Sequence, residues 1–309
     1  VARESERRVW FESSCPEHLV SAAAPPAGSV KERSPMPQSP GSPAGAIGFD
    51  FSSRVAIVTG ASRGIGARIA LSLAEAGARV VLHGRDAETL ESVAEQVRAL
   101  GSEAVTVAGN IRSEETAKEL VSAAMAAFGR IDILVNNAGG NFAKRLEELS
   151  TNAWNATVET NLGGAFQCAK ACWPVFAEQG GGVIVNVGSV SSSYAHPQRG
   201  AYAAAKAGVV SLTQTMAWEW AGQNIRVNCV APGAILTDAS RFAASDTADK
   251  IAAYIPLGRL GTPTDVANAC MFLCSDAASY ITGEVLTVAG GPLASSPVEL
   301  PPRPLLEQV

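Results

Sequence analysis

Histidine is scarce in this chain: three among 309 residues, at positions 18, 83 and 196. None stands at ligand spacing from the cysteines, so no zinc-binding Cys/His pattern is present and no metal is expected. The six cysteines, at 15, 168, 172, 229, 270 and 274, form no disulfide framework. Cys168/Cys172 and Cys270/Cys274 are each one helical turn apart and read as small buried core residues, in keeping with a reducing cytoplasm. No apolar run approaches ~20 residues, so no membrane span or membrane partner is expected. Positive charge is not in excess: 24 Lys and Arg stand against 29 Asp and Glu, a net charge of −5 that argues against a nucleic-acid partner. No internal repeat is evident.

What is present suits one large domain, with 47% hydrophobic residues. Residues 1–50 stand apart. They are rich in Pro, Ser and Ala, as in Ser34-Pro35-Met36-Pro37-Gln38-Ser39-Pro40, and bury too little apolar surface to offset ordering. They read as a disordered extension, or as sequence upstream of a natural start. Arg3, Arg7 and Arg8 open the stretch, but no apolar signal-peptide segment follows. Residues 292–309, with Pro301-Pro302-Arg303-Pro304, read as an irregular tail that could lie over a neighbouring subunit. The domain itself is expected over 51–291.

Within it the pattern alternates. Short apolar, β-branched runs predict strands near 54–59, 79–83, 103–108, 131–135, 182–187, 225–230 and 284–288. Helical periodicity fills 87–100, 114–128, 151–178, 200–221 and 263–275. Strands alternating with helices predict an α/β fold: a single Rossmann-type, doubly wound parallel sheet with helices on both faces. Ligands then bind outside the carboxyl ends of the strands.

The stretch 54–66 reads Arg-Val-Ala-Ile-Val-Thr-Gly-Ala-Ser-Arg-Gly-Ile-Gly. A buried strand, glycines at 60, 64 and 66, and a helix over 67–76 ending at Gly77 form a dinucleotide-binding arrangement. The glycines permit the tight turn and let backbone approach a pyrophosphate at a helix N-terminus. The spacing is Gly-x-x-x-Gly-x-Gly rather than the commoner Gly-x-Gly-x-x-Gly.

A second constellation is Gly188-Ser189 followed by Tyr202-Ala203-Ala204-Ala205-Lys206. The alanine-rich stretch is strongly helix-prone, and residues four apart share a helix face. A free phenol titrates at ~10, too high for ready proton exchange at neutral pH. A neighbouring ammonium favours the phenolate. A serine hydroxyl just past a strand can hydrogen-bond a carbonyl oxygen. Together these groups suit carbonyl reduction or alcohol oxidation.

Thr59-Gly60-Ala61-Ser62-Arg63-Gly64-Ile65-Gly66, Asn136-Asn137-Ala138-Gly139, Asn161, Ser189, Tyr202-x-x-x-Lys206 and Pro232-Gly233 resemble, in order and spacing, the motif series of the short-chain dehydrogenases/reductases. The resemblance extends to 3-oxoacyl reductases and related carbonyl reductases. It covers residues ~52 to ~291, and no position of the core set is substituted. It implies that Tyr202 is the general acid/base, Ser189 orients the substrate oxygen, and Lys206 binds the nicotinamide ribose. Asn161 would kink a long helix and hold a proton-relay water. Ser62, Ile65, Asn137 and Gly139 would line the cofactor with the glycine loop, and Pro232, Gly233, Ile235 and Thr237 would lie along the nicotinamide.

NAD-specific relatives place an Asp at the end of the second strand; here that position is Gly84, followed by Arg85, with Arg63 in the glycine loop. Two guanidiniums facing one phosphate favour NADP(H) over NAD(H). Asp86 reads as the cap of the following helix. Asn110-Ile111, after the third strand, stands at the adenine edge, where 3-oxoacyl reductases often carry Asn-Val.

The substrate pocket is expected to draw on Asn141, Phe142, Val190, Tyr194 and His196, with Phe242 from a mobile lid over 234–260 hinged at Gly233. His196, before Pro197, reads as a pocket or surface residue rather than a second proton donor. Reductases that dock acyl carrier protein tend to carry basic residues where this chain has Gln179-Gly180-Gly181 and Gly222-Gln223. A small-molecule ketone or secondary alcohol is therefore favoured, with a 3-oxoacyl thioester (carrier- or CoA-linked) as the alternative. A cofactor-binding regulator without turnover is the rival of another class, and a Pro-rich N-terminal interaction module a third possibility. The family implies a homotetramer or homodimer through helices 151–178 and 200–221, whose Trp173, Trp218 and Trp220 are interface anchors or core.

Overall fold

The computed structural model describes residues 48–237 and 245–291. The readings for residues 1–47 and 292–309, and for Phe242, lie outside the described residues. Seven strands make one parallel sheet: β1 Val55–Val58, β2 Arg79–Gly84, β3 Ala104–Ala108, β4 Ile133–Asn136, β5 Gly182–Val187, β6 Ile225–Pro232 and β7 Val285–Val288. Their spatial order is β3-β2-β1-β4-β5-β6-β7. The order reverses between β1 and β4, which pair in parallel through Ala56–Ile133, Ile57–Leu134 and Val58–Val135. Ligand crevices form at the carboxyl side of such a reversal.

Each strand lies within about two residues of its predicted span, because β1, β4 and most of β2, β5 and β6 are buried on both faces. Such strands read as continuous apolar runs. Two cores follow. On one face α1 (Gly64–Glu75), α2 (Ala87–Ala99) and α8 (Pro263–Cys274) pack around Ile69, Leu73, Leu82, Leu90 and Val266. On the other, α3 (Glu114–Phe128), α5 (Gly164–Gln179) and α6 (Gly200–Trp220) pack around Ile57, Leu134, Phe176, Ile184 and Met216.

Helix ends follow their chemistry. Asp86 Oδ1 accepts from Thr89 N at 2.8 Å, the cap expected of it. α8 opens on a capping box in which Thr262 and Asp265 bond each other's backbone N–H groups. α7 (Ser245–Ala252) is the described helical part of the region expected as a lid.

Two expectations need correction. α1 begins at Gly64, not at residue 67: Ile65 and Gly66 already belong to its first turn, although glycine is a poor helix former. The helix expected as continuous over 151–178 is interrupted, at the residue where the family resemblance implied a kink. α4 (Thr151–Val158) and α5 flank a π-helical turn, Glu159–Gly163, with Asn161 buried at its centre. Such turns insert a residue without ending the helix, so the periodicity on either side does not reveal them.

Candidate active site

The crevice begins where β1 and β4 end. Thr59 Oγ1 accepts the backbone N–H groups of Asn137 (2.9 Å) and Ala138 (3.0 Å). In return Asn137 Nδ2 donates to the carbonyls of Thr59 (2.9 Å) and Gly60 (3.0 Å). A Cβ at Gly66 would run into Gly60 O and the Asn137 amide, and one at Gly60, where φ is +65°, would lie 2.9 Å from Ala138 Cα. Side chains are excluded so that two backbones can close on each other.

His83, at the buried end of β2, braces the same loop. Its Nδ1 accepts from Gly60 N at 3.3 Å, and its Nε2 lies 3.2 Å from Gly109 O. These contacts together require the neutral tautomer protonated at Nε2. Burial holds the imidazole below its ordinary value, against a smaller opposing effect of the Gly109 bond.

A cleft of about 940 Å³ opens over this floor. It gathers Gly60, Ser62, Arg63, Gly64, Ile65 and Gly66 with Arg85 after β2, Asn110 and Ile111 after β3, Asn137 and Gly139 after β4, and Thr237 beyond β6. Gly84 also lines it; a Cβ there would meet Leu90 Cδ1 and Ser62 Cβ at 3.2 Å each, so an acidic side chain has little room. Arg63 and Arg85 are exposed and have no ion-pair partner among the described residues. Asn141 and Phe142 also line it, and Phe142 is exposed. Glycine loop, helix N-terminus and unpaired guanidiniums fit a phosphorylated dinucleotide.

The second arm comes from β5 and α6. Lys206 is buried, and its Nζ donates to Val187 O at 2.7 Å and lies 5.7 Å from the Tyr202 ring centroid. Asn161, buried by the π turn, donates from Nδ2 to Thr157 O (2.8 Å) and Gly140 O (2.7 Å), and its Oδ1 accepts from Gly140 N (3.3 Å). A Cβ on Gly139 would lie 2.6 Å from Asn161 Oδ1 and 3.7 Å from Lys206 Nζ, so the two arms meet there. Ser189 Oγ, buried, accepts from Ser191 N at 3.1 Å.

Several expected positions fall elsewhere. Val190, Tyr194 and Ile235 line a second cleft of about 710 Å³, with Pro256, Leu257 and Gly290; Asn161, Ser189, Tyr202 and Lys206 line neither this cleft nor the first. Ile235 is drawn away from the cofactor cleft by packing in the core and by its bridge to Gly261. Pro232 and Gly233 line neither cleft; Gly233 N donates to Val288 O at 2.9 Å, and a Cβ there would crowd Ala289. His196 lines neither cleft and bonds Ser191 instead. Asn137 reaches the cleft, but its amide is committed to the glycine loop. Sequence reasoning missed Thr59 and His83 as supports. The signal for His83 was a polar residue inside the apolar run Val80-Val81-Leu82-His83. Among the described residues no three His, Cys, Asp or Glu side chains converge as metal ligands, and no helix is long and apolar enough to cross a membrane.

A family model described as enoyl-(acyl carrier protein) reductase matches residues 60–292. The solved structure of a putative short-chain alcohol dehydrogenase from Sinorhizobium meliloti is 41% identical, with a TM-score of 0.76 over 79% of this chain and 98% of its own. The chain belongs to the short-chain dehydrogenase/reductase family. The 3-oxoacyl-[acyl-carrier-protein] reductase of Staphylococcus epidermidis is 40% identical over 240 residues, 77% of this chain and 98% of that protein. That of Synechocystis is 40% identical over 243 residues, 78% and 97% of the two chains. A 7α-hydroxysteroid dehydrogenase solved with NADH and 7-oxo glycochenodeoxycholic acid is 37% identical, with a TM-score of 0.76 over 79% and 96% of the two chains. The protein is an oxidoreductase that interconverts a ketone and a secondary alcohol with a nicotinamide cofactor.

The brace at His83 generates a prediction. His83→Ala removes two hydrogen bonds of about 1 kcal/mol each and should weaken binding of the nicotinamide cofactor roughly five- to thirtyfold. The buried imidazole resists protonation, so its contribution to stability is full above ~6.5 and is lost as pH falls below that value, where only the unfolded chain takes up the proton. Calorimetry between about pH 8 and about pH 5, across the imidazole range, should show a shallower acid decline for the variant than for wild type. Parallel melting curves and equal cofactor affinity would remove His83 from this role.

Proposed function

We propose that the protein is an NADP(H)-dependent reductase of ketones, working through Tyr202 as proton donor. The observation that carries this reading is the meeting of the two arms at Gly139, which brings the cofactor cleft against the buried Lys206 and the Tyr202 helix. When bound, the reduced nicotinamide supplies a hydride to the carbonyl carbon. Tyr202 gives its proton to the carbonyl oxygen. Ser189 donates a hydrogen bond to that same oxygen, its own Oγ fixed by Ser191 N. Lys206 keeps one ammonium proton on Val187 O and has others for ribose hydroxyls. Asn161 holds Gly140 and Thr157 in place around the π turn, at the start of the proton-resupply path.

Tyr202→Phe should abolish turnover while leaving NADPH affinity within about twofold, since the ring and its packing remain. NADPH consumption with acetoacetyl-CoA and with a cyclic diketone tests this and the substrate class together. Comparable turnover by the variant would remove Tyr202 from the chemistry; normal NADPH binding with no turnover by wild type on any carbonyl would favour the regulator reading.

NADP(H) is favoured by glycine rather than an acidic residue at 84, which leaves room for a 2′-phosphate, and by the unpaired Arg63 and Arg85. Charge-assisted bonds to a phosphate contribute about 1.5–3 kcal/mol each. Arg63→Ala with Arg85→Ala should therefore raise KM for NADPH at least tenfold, and that for NADH less than threefold. Equal effects on both would return the preference to NAD(H).

A second reading, reduction of a 3-oxoacyl thioester, is favoured by what the S. epidermidis and Synechocystis relatives are named for. Gln179 at the expected carrier-docking face is uncharged and bonds the backbone of Ile131 through both ends of its amide, at 3.1 and 2.6 Å. With Gly180, Gly181, Gly222 and Gln223 beside it in the pattern, an acidic carrier would meet little charge, so the thioester would be CoA-linked or free.

A homodimer or homotetramer is part of the same proposal. Trp173 and Trp220 pack on the core, whereas Trp218 on α6 is 88% exposed and Phe166 on α5 is 48% exposed. Exposed aromatics mark association surfaces. Trp218→Asp should lower the mass measured by light scattering; an unchanged mass would take Trp218 out of the interface. The cytoplasmic setting rests on the cysteines: the five described are unpaired, with burial raising the Cys168 and Cys274 thiols to about 12.

A further inference from the structure

The segment from Ser189 to Gly200 contains a side-chain bridge that the reaction as described does not use. Ser189 presents its hydroxyl from the end of β5, and the only bond fixing its Oγ among the described residues is the N–H of Ser191. Where Ser189 points therefore depends on where Ser191 sits. Ser191 belongs to a three-residue 3₁₀ turn, Val190–Ser192, closed by Ser192 N and Ser192 Oγ on Ser189 O at 3.0 and 2.7 Å. One 3₁₀ turn of this length has little stability of its own.

The turn is tied down from outside. Ser191 is 3% exposed, and its hydroxyl has one partner among the described residues, His196 Nδ1 at 3.0 Å. His196 is itself held at the entrance of α6: its carbonyl accepts from Arg199 N at 3.1 Å, and Arg199 is the N-cap of the helix carrying Tyr202 and Lys206. Between them Gln198 takes φ +64°, a conformation non-glycine residues adopt rarely, and its carbonyl accepts from Lys144 N at 3.2 Å. The bridge thus links the serine loop to the start of the tyrosine helix.

We propose that His196 is a positioning residue that acts through Ser191 to fix Ser189 relative to Tyr202. The hydroxyl of Ser189 and the phenol of Tyr202 must address the same substrate oxygen. An error of a fraction of an ångström between them costs rate rather than affinity. The hydrogen bond survives protonation of the ring, because a neutral Nδ1 accepts from Ser191 Oγ–H and a protonated one donates to Ser191 Oγ. Burial and the nearby Arg199 favour the neutral ring, in which Ser191 is the donor. A pH profile is therefore a poor probe, and a conservative replacement a good one. Asparagine places an amide oxygen near the position of Nδ1; alanine places nothing there.

This inference rests on the reading that Ser189 orients the substrate oxygen, and the test separates the two. Single-turnover NADPH oxidation would be followed for wild type, Ser189→Ala, His196→Ala, His196→Asn, Ser191→Ala and the double variant Ser189→Ala/His196→Ala, using whichever of acetoacetyl-CoA or the cyclic diketone is reduced. Loss of one buried hydrogen bond predicts a roughly three- to tenfold slower hydride step for His196→Ala and Ser191→Ala alike. KM for NADPH should stay within about twofold. His196→Asn should recover most of the rate, and the double variant should be no slower than Ser189→Ala alone. A wild-type rate for His196→Ala, or a full multiplicative loss on top of Ser189→Ala, overturns the proposal. So does an asparagine variant that folds and melts like wild type yet is as slow as alanine. Should His196→Ala fail to fold, Ser191→Ala and its double with Ser189→Ala give the same decision. A Ser189→Ala enzyme as fast as wild type would instead sink the parent reading.

Discussion

The closeness of two backbones at the ends of β1 and β4 is the constraint on which the rest of the site depends. Thr59 and Asn137 exchange hydrogen bonds across this point, and Gly60 and Gly66 leave out the atoms that would keep the chains apart. Without that closure α1 would not begin at Gly64, and its unsatisfied N–H groups would not face the crevice. The glycine loop is therefore not a free-standing phosphate cradle. Its shape is imposed from below by Asn137 and from the side by His83, which also reaches the loop after β3. Four strand ends are tied into one floor, and a dinucleotide lying across them would meet a surface already assembled.

A second irregularity does comparable work on the other arm. A regular helix over 151–178 would carry the buried face of α4 continuously into α5. The π turn shifts the register by a residue and turns Asn161 inward, where its amide satisfies Gly140 at both the N–H and the carbonyl. Beyond the turn Gly164 packs directly on Ile111, so the loop after β3 and α5 rest on each other. The same insertion explains why Ile111, expected only as a cofactor neighbour, is also a core residue.

What the sequence made legible follows from what each signal measures. Strand positions were readable because doubly buried strands leave unbroken apolar runs, as in Val55–Val58 and Gly182–Val187. The glycine loop, Ser189, Tyr202 and Lys206 were readable because their spacing along the chain is itself the signal. The π turn left no mark in the periodicity, which runs on either side of it; the kink at Asn161 was expected from the family resemblance alone. Ile235 lines the second cleft rather than the first, and distance along the chain after β6 says little about which of two clefts a loop residue enters. His83, although it breaks an apolar run, and His196 were missed as supports for a different reason. Each is a single polar residue whose role lies in a partner's position, Gly60 and Gly109 for one and Ser191 for the other, and no local propensity records that.

The division between buried and exposed groups bears on substrate choice. Lys206, Asn161 and Ser189 are all under about a tenth exposed and are held by backbone groups, so the proposed reacting geometry changes little with what surrounds it. The residues around the clefts are of another kind: Phe142 is 55% exposed, Tyr194 43% and Leu257 63%. Such side chains can be exchanged without disturbing the closure at Gly60 or the meeting at Gly139. A ketone reductase and a thioester reductase can then share the whole buried apparatus and differ only where it meets solvent. Identity of about 40% to reductases named for 3-oxoacyl carriers is accordingly strong testimony about the reaction and weak testimony about the group beyond the carbonyl. That group must be read from the charge and shape of the exposed surface, where Gln179 is uncharged and Phe142 and Tyr194 line separate clefts.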